Sequence, residues 1–423
     1  MHTAKPTPRQ LEWHEAELGV IIHYCMEIYD PSVSALVTTD IVRTRLSPDK
    51  ITPTDLDPEK WVRIAWETGA KYAVLVANHC TGFSLWPTSV NDYSTASLKW
   101  KDGKGDIVRE FVDACKKYGL KPGLYYSTGR NGYYNISGDT DRDCFTGEYQ
   151  AYARIVERQL TELWTQYGEL FEIWFDGGVV PHEEGGPDIV PLLRKYQPDA
   201  LCFQGPKEHP HNLRWVGTEE GFAPEDCWGA TNAGETNYDG TVPDEDAGVG
   251  DPDGKYYQPA ETDTPNRSLY AFGGGWFWAK DEERFVRPPE ELFDCYLRSV
   301  GHNSNLLLGM AISPDGDFKD GEQFRQFGRM IREAFGTPLA VAENSLTLRI
   351  PDGARAKYLV LREDIREGQR IREFSVLLNG EEIYAGHSIG HKRILELKDR
   401  SGEIAVQVKT AADGWRMRDI AVC

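Results

Sequence analysis

Several of the signatures from which chemistry is usually read are missing in this chain. Its 8 cysteines, at 25, 80, 115, 144, 202, 227, 295 and 423, include no CxxC pair. There is no HExxH either, so neither of the common zinc anchors is present. No GxGxxG follows the first apolar run and no GxxxxGK[ST] occurs, which removes the usual phosphate cradles of nucleotide-binding proteins. No apolar run approaches about 18 residues, so no membrane-spanning helix is expected. The opening MHTAKPTPRQ has no apolar core of about 7–15 residues, so no secretory signal is expected and the expected location is cytoplasmic. Basic residues are outnumbered: 47 Lys and Arg against 67 Asp and Glu give a formal charge of −20. No Lys/Arg run interrupts that balance. Such a surface repels phosphate, and neither nucleic acid nor a membrane surface is expected as a partner. Internal repeats and low-complexity tracts are absent too.

The chain has 423 residues, enough for two domains, since single cores stop growing near 250–300 residues, roughly. The hydrophobic share of 40% and charged share of 27% are ordinary for a globular protein. Aromatics are plentiful, with 12 Trp and 20 Tyr. Apolar ring faces with polar edges suit sugar rings, although large cores use them as well. Cys115 and Cys295 fall on apolar helical faces, and most cysteines read as reduced and structural.

Over residues 1–335 short apolar runs alternate with amphipathic ones. LGVIIHY (18–24), YAVLVA (72–77), KPGLYYS (121–127) and FEIWFDGG (171–178) read as strands, followed by ALCFQG, LRWVG and NLLLGM. PEKWVRIAWETG (58–69) and GDIVREFVDACKKYG (105–119) read as helices, the first with Pro in its first turn and the second stopped by Gly119. Tyr152, Ile155, Val156, Leu163 and Tyr167 mark a longer helix, and PEELFDCYLRSV another. This alternation predicts an α/β fold with a parallel sheet, and around eight strands favour a (β/α)8-like barrel. The stretch 218–275 reads as a long aromatic-bearing loop, a pattern that in compact domains is usually functional or disordered. From about residue 336 the pattern changes to period-two runs between turns, with the Asn-Gly hairpin signal in LNGEEI. Residues 336–423 are therefore expected to form a small antiparallel β-sandwich.

In a barrel the active site lies at the C-terminal ends of the strands. Those ends carry His23, His79, Tyr125, Asp176 and Glu219. The strand 72–77 runs into Asn78-His79-Cys80-Thr81-Gly82-Phe83, with Trp86 beyond. A metal site could draw on His23, His79 and Cys80, but no motif anchors them, and no metal or other cofactor is expected. A Cys80 nucleophile with His79 as base fails if both lie on a strand, because neighbours there point to opposite faces. The third option is glycoside hydrolysis by two carboxylates, held about 5–5.5 Å apart in retaining enzymes. Asp176 ends an otherwise apolar strand and shares a face with Trp174. Its partner acid must come from another loop, where Glu219, Glu220 and Glu261 are available. Each of these is equally compatible with an ordinary solvated or capping carboxylate.

The segments GVIIHY, NHCTGFSLWPT, KGDIVREFVDACKKYGLKPGLYYS, QLTELWTQYGELFEIWFDG, RWVGTEEG and GHNSNLLLGMAISPDGDF follow one another in order. Together they resemble the α-L-fucosidases of glycoside hydrolase family 29 over roughly residues 15–335. The resemblance implies a retaining hydrolase acting on fucosylated oligosaccharides or glycoconjugates, without a cofactor. It implies Asp176 as nucleophile. RWVGTEEG resembles the segment carrying the acid/base in the branch acting on 1,3/1,4-linked fucose, which points to Glu219, with Glu261 as runner-up. Arg267 matches an arginine near the sugar, Trp276 and Trp278 wall positions, and His23 and His79 histidines that bond fucose hydroxyls. Trp174, Tyr125 (or Tyr126, if the strand faces the other way) and Trp86 are further candidates for the sugar pocket. One departure is clear: relatives usually read Lys-His-His-Asp-Gly-Phe where this chain has Asn78-His79-Cys80-Thr81-Gly82-Phe83. A related L-sugar as substrate, or a non-hydrolytic carbohydrate-binding barrel, are the alternatives.

Overall fold

The computed structural model describes residues 3–30, 46–134, 136, 147–232 and 248–423. Cys144 and part of the 218–275 stretch lie outside them. Eight parallel strands close into a barrel: β1 (Leu18–His23), β2 (Tyr72–Asn78), β3 (Lys121–Tyr126), β4 (Glu172–Trp174), β5 (Leu201–Phe203), β6 (Asn212–Trp215), β9 (Ala260–Thr264) and β10 (Asn305–Ala311). The order around the barrel is β1-β10-β9-β6-β5-β4-β3-β2. A two-stranded ribbon, β7 (Ala230–Thr231) with β8 (Tyr256–Tyr257), sits between β6 and β9. Every residue of β1, β2 and β10 is buried, as expected of strands with helices on one side and a packed barrel interior on the other.

The helices start and stop where local chemistry requires. α1 (Pro8–Ala16) has a capping box between Thr7 and Gln10. The Gln10 amide also donates to the carbonyls of Asn212 and Tyr257, so α1 is tied to β6 and the ribbon. α2 (Pro58–Thr68) is capped by Asp57 and ends at left-handed Gly69; α3 (Ile107–Tyr118) is capped by Asp106 and ends at left-handed Gly119. Cys115 on α3 is fully buried, as is Cys295 on α6 (Pro289–Ser299). α4 (Gly147–Gln166) precedes β4, α5 (Val190–Tyr196) precedes β5, and α7 (Gly321–Phe335) follows β10. Among the described residues no α-helix joins β5 to β6 or β6 to β9. None is long and apolar enough to cross a membrane.

Beyond α7 two four-stranded antiparallel sheets pack face to face. One has the order β11 (Ala340–Glu343), β18 (Met417–Val422), β13 (Ala356–Glu363), β16 (Arg393–Arg400). The other is β12 (Thr347–Arg349), β17 (Glu403–Ala411), β14 (Ile371–Leu378), β15 (Glu381–Gly386). Leu359, Leu361, Phe374, Val376, Ile404 and Ile420 fill the space between them. The β14–β15 hairpin turns through Asn379 and Gly380, at φ 53° and 85°, both left-handed as an Asn-Gly turn allows. The sandwich meets the barrel helices through Phe293, Phe335 and Tyr358.

Candidate active site

The inward face of β4 and the turn after it read Glu172, Trp174, Asp176, every second residue. The turn needs glycine: Gly177 and Gly178 have φ of 72° and 81°. Asp176 thus emerges, exposed, at the C-terminal rim of the barrel. It lines a cavity of about 90 Å³ together with Ile21, His23, His79, Tyr125, Trp174, Glu219, Asp263, Trp276 and Phe277. That is room for several waters, on the order of 10–15 Å³ each, the scale of one sugar ring. A larger cavity of about 350 Å³ lies beside α5 and the β5–β6 connection and contains none of the expected site residues.

The cavity walls are ordered by ring contacts. Tyr125 stacks between His79 and Trp174, with centroids 5.8 and 5.3 Å away, and Trp174 stacks on Phe203 at 3.9 Å. His23 packs against Trp276 at 5.0 Å and Phe277 at 6.0 Å. The Tyr125 hydroxyl donates to Asp176 Oδ2 at 2.7 Å, fixing the carboxylate's orientation. Tyr126 faces outward instead, donating to Gln159 on α4 at 2.6 Å. Burial, with His79 adding repulsion, lowers the His23 pKa to about 3, so the ring is neutral at ordinary pH. Its Nδ1 is fully occluded, so only the rest of the ring faces the cavity.

The carboxyls differ in placement. Glu219 is exposed at the mouth, and the Thr264 hydroxyl bonds to its backbone carbonyl at 2.8 Å. Crowding by the walls raises its pKa, the Asp176 charge adds to this, and the Trp276 indole partly offsets it. Asp263 is buried and accepts from the Trp215 indole at 2.7 Å. Burial, then the Glu219 charge, push its pKa well above the carboxylate range.

The α-L-fucosidase family profile matches residues 44–331. The chain belongs to the α-L-fucosidase family. It is 29% identical to α-L-fucosidase 1 of Arabidopsis thaliana, over 92% of this chain and 81% of the plant protein. A crystal structure of a candidate α-L-fucosidase from Bacteroides thetaiotaomicron superposes with a TM-score of 0.90 at 33% identity, covering 100% of this chain and 99% of that one. A glycoside hydrolase 29 member from an unknown rumen bacterium superposes with a TM-score of 0.80 at 29% identity, covering 100% of this chain and 77% of that one. This fucosidase-family barrel is therefore that of a glycoside hydrolase.

Four residues expected at the sugar lie elsewhere in it, and three of them are held there by partners of their own. Glu261 is fully buried below the cavity, where it accepts from the Tyr72 hydroxyl at 2.8 Å and the Trp174 indole at 3.0 Å. Glu172 faces it, and two buried carboxyls cannot both ionise. Burial, then Glu261, lift the Glu172 pKa well above its usual range, so Glu172 keeps its proton and Glu261 holds the indole. Arg267 is buried in an ion pair with Asp320 at 2.8 Å, away from the cavity. Trp86 is buried and donates to Glu162 of α4 at 2.9 Å. Trp278 does not line the cavity, whereas its neighbour Phe277 does. Glu261→Gln should leave one of its two donors facing an amide N–H. We expect a loss of about 1–3 kcal/mol in thermal or denaturant unfolding, a raised KM through a loosened Trp174, and no rescue by azide. Azide rescue would instead mark Glu261 as the acid/base.

Asp263, Phe277 and Ile21 were not anticipated from the sequence. For Asp263 a signal existed: Glu261 and Asp263 are spaced by two, which on a strand puts both on one face. The opposite-face argument for His79 and Cys80 also fails. β2 ends at Asn78 and the chain turns at once, with Gly82 N–H bonded to the His79 carbonyl. Cys80 Sγ consequently lies 3.1 Å from His79 Nδ1. That nitrogen also meets Glu27 Oε1 at 3.1 Å, leaving Nε2 for a ligand in the cavity. Burial opposes the charged imidazole, yet the Cys80 and Cys25 sulfurs and Glu27 raise the His79 pKa well above its ordinary value. Burial pushes the pKa values of both thiols up.

Proposed function

We propose that this chain hydrolyses terminal α-L-fucosyl units with net retention, by a double displacement at Asp176 and Glu219. The observation that carries the reading is the shared cavity: one carboxylate at its rim oriented by Tyr125, and a second carboxyl with raised pKa at its mouth. In the first step Asp176 attacks the anomeric carbon while Glu219 protonates the departing oxygen. In the second, Glu219 takes a proton from water, which attacks the glycosyl-enzyme and frees Asp176. His23, His79 and the stacked aromatics orient the ring. Ile21 and Phe277 give an apolar wall suited to the methyl group of a 6-deoxy sugar. The likeness of RWVGTEEG to one branch of the family supports 1,3/1,4-linked fucose as the preferred linkage. The chain's acidity supports a neutral glycan rather than an anionic one.

The test is hydrolysis of 4-nitrophenyl α-L-fucoside followed by proton NMR from the first turnovers. α-L-Fucose is expected first, mutarotating later to the equilibrium mixture. β-L-Fucose as the first product would overturn the retaining mechanism, and sugar binding without turnover on aryl and natural fucosides would leave only a lectin-like barrel. The L-galactoside is the competitor to compare. An apolar pocket rejects an added hydroxyl by roughly 10²-fold, so a larger kcat/KM for the galactoside would reassign the sugar.

A further inference from the structure

Behind the sugar cavity, the ends of neighbouring strands β1 and β2 deliver four side chains of metal-ligand type to one place. Cys25 and Glu27 follow β1, and His79 and Cys80 follow β2. The Cys25 sulfur, a Glu27 oxygen and a His79 ring nitrogen lie within 4.8 Å of one another. Cys80 Sγ joins them, 3.1 Å from His79 Nδ1 and 3.8 Å from Glu27 Oε1. Both cysteines are free thiols, and they and Glu27 are buried. Glu27 is fully buried, yet its Oε2 has no hydrogen-bond partner. A buried carboxylate oxygen without a donor costs about 1–3 kcal/mol or more, and a cation bound at Oε1 would offset the burial of the carboxylate as a whole.

We infer that Cys25, Glu27, His79 and Cys80 form a binding site for a thiophilic divalent cation, with Zn²⁺ as the fitting ion, and that its occupancy lowers activity through His79. The donor set is two sulfurs, one imidazole nitrogen and one carboxylate oxygen, which suits tetrahedral zinc and excludes magnesium or calcium. Bonds of about 2.0 Å to nitrogen and oxygen and 2.3 Å to sulfur give tetrahedral edges of roughly 3.3–3.8 Å. The His79, Cys80 and Glu27 separations are already close to that, and Cys25 has to draw in from within 4.8 Å of Glu27 and His79. Binding releases to solvent the two thiol protons and the proton that His79 Nδ1 holds against Glu27. It also replaces Glu27 as the partner of His79 Nδ1 and draws the imidazole toward the cluster. Since His79 lines the sugar cavity, sugar binding weakens.

Cobalt is the probe. One equivalent of Co²⁺ added to the metal-free chain should produce a thiolate-to-cobalt charge-transfer band in the near ultraviolet, displaced by Zn²⁺. Cys25→Ser should weaken binding at least tenfold, roughly. Cys202→Ser, at a buried thiol on β5, should bind as the wild type does. If Cys25→Ser does not fold, protection of Cys25 and Cys80 from alkylation by Zn²⁺ in the wild-type chain, read by peptide mass spectrometry, replaces it. No band, a band that survives in folded Cys25→Ser, or no protection overturns the site. Metal uptake is independent of the hydrolytic reading. Only the kinetic arm rests on that reading: one equivalent of Zn²⁺ should raise KM for the aryl fucoside about tenfold, reversibly with a chelator. Binding with unchanged KM would overturn the coupling to His79.

Discussion

Asp176→Ala is expected to lower kcat on 4-nitrophenyl α-L-fucoside by on the order of 10⁴-fold or more, while the chain stays folded. Both halves of that expectation come from where the residue sits. Asp176 is exposed at the rim, beyond the last residue of β4, so its side chain contributes almost nothing to the barrel's packing. Exposed substitutions away from caps and strained turns usually change stability within about 0.5 kcal/mol. The strain that does exist is carried by Gly177 and Gly178, which the substitution leaves alone. What is lost is the carboxylate oriented by Tyr125, with no nucleophile nearby able to replace it. Cys80 is close enough to sense Asp176, but burial holds its thiol protonated. Steady-state kinetics beside a thermal melt and a fucose titration would separate the effects. Activity within tenfold of wild type, in a protein that melts normally, would remove Asp176 as nucleophile.

How far the sequence could reach is clearest from paired residues. The period-two rule placed Trp174 and Asp176 on one face because only local geometry is involved. The same rule could not say whether Tyr125 or Tyr126 faces the barrel interior. That depends on Gln159 of α4, which takes the Tyr126 hydroxyl. Helices α2 and α3 were legible end to end, since their caps and left-handed glycines are local. β9 was not. Ala-Glu-Thr-Asp-Thr has no apolar alternation, and its five residues are buried because β6 and β10 flank it and Tyr72, Trp174 and Trp215 satisfy its acids. Arg267 and Trp86 show the same limit from the other side. Residue type and likeness pointed to the sugar, but Asp320 and Glu162, dozens of positions away in sequence, hold them elsewhere. The Cys25–Glu27–His79–Cys80 cluster joins segments 52 positions apart between Glu27 and His79, and no spacing motif encodes it.

Glu219→Ala should lower kcat/KM on oligosaccharide fucosides by about 10²–10⁴-fold and much less on 4-nitrophenyl fucoside, whose leaving group needs little protonation. Three carboxyls near the cavity compete for this role, and exposure decides among them. The glycosidic oxygen of a terminal sugar points out of the cavity toward the rest of the glycan. Glu219 is at the mouth, whereas Asp263 is buried under the Trp215 indole and Glu261 lies beneath Trp174. Its titration carries a sign that can be checked. The first step needs Glu219 protonated, so kcat/KM falls as pH rises through its pKa. Partial burial and the Asp176 charge raise that pKa, so the alkaline limb should lie above the ordinary glutamate value of about 4.3. With the aryl substrate, Glu219→Ala should lose that limb and regain turnover with azide, giving the α-fucosyl azide, since azide then enters from the face Glu219 vacates. If Asp263→Asn loses the limb and Glu219→Ala keeps it, the buried carboxyl is the acid and the exposed one is a bystander. That outcome would require Asp263 to give up the Trp215 bond that now holds it, and fluorescence of the variant would register the freed indole.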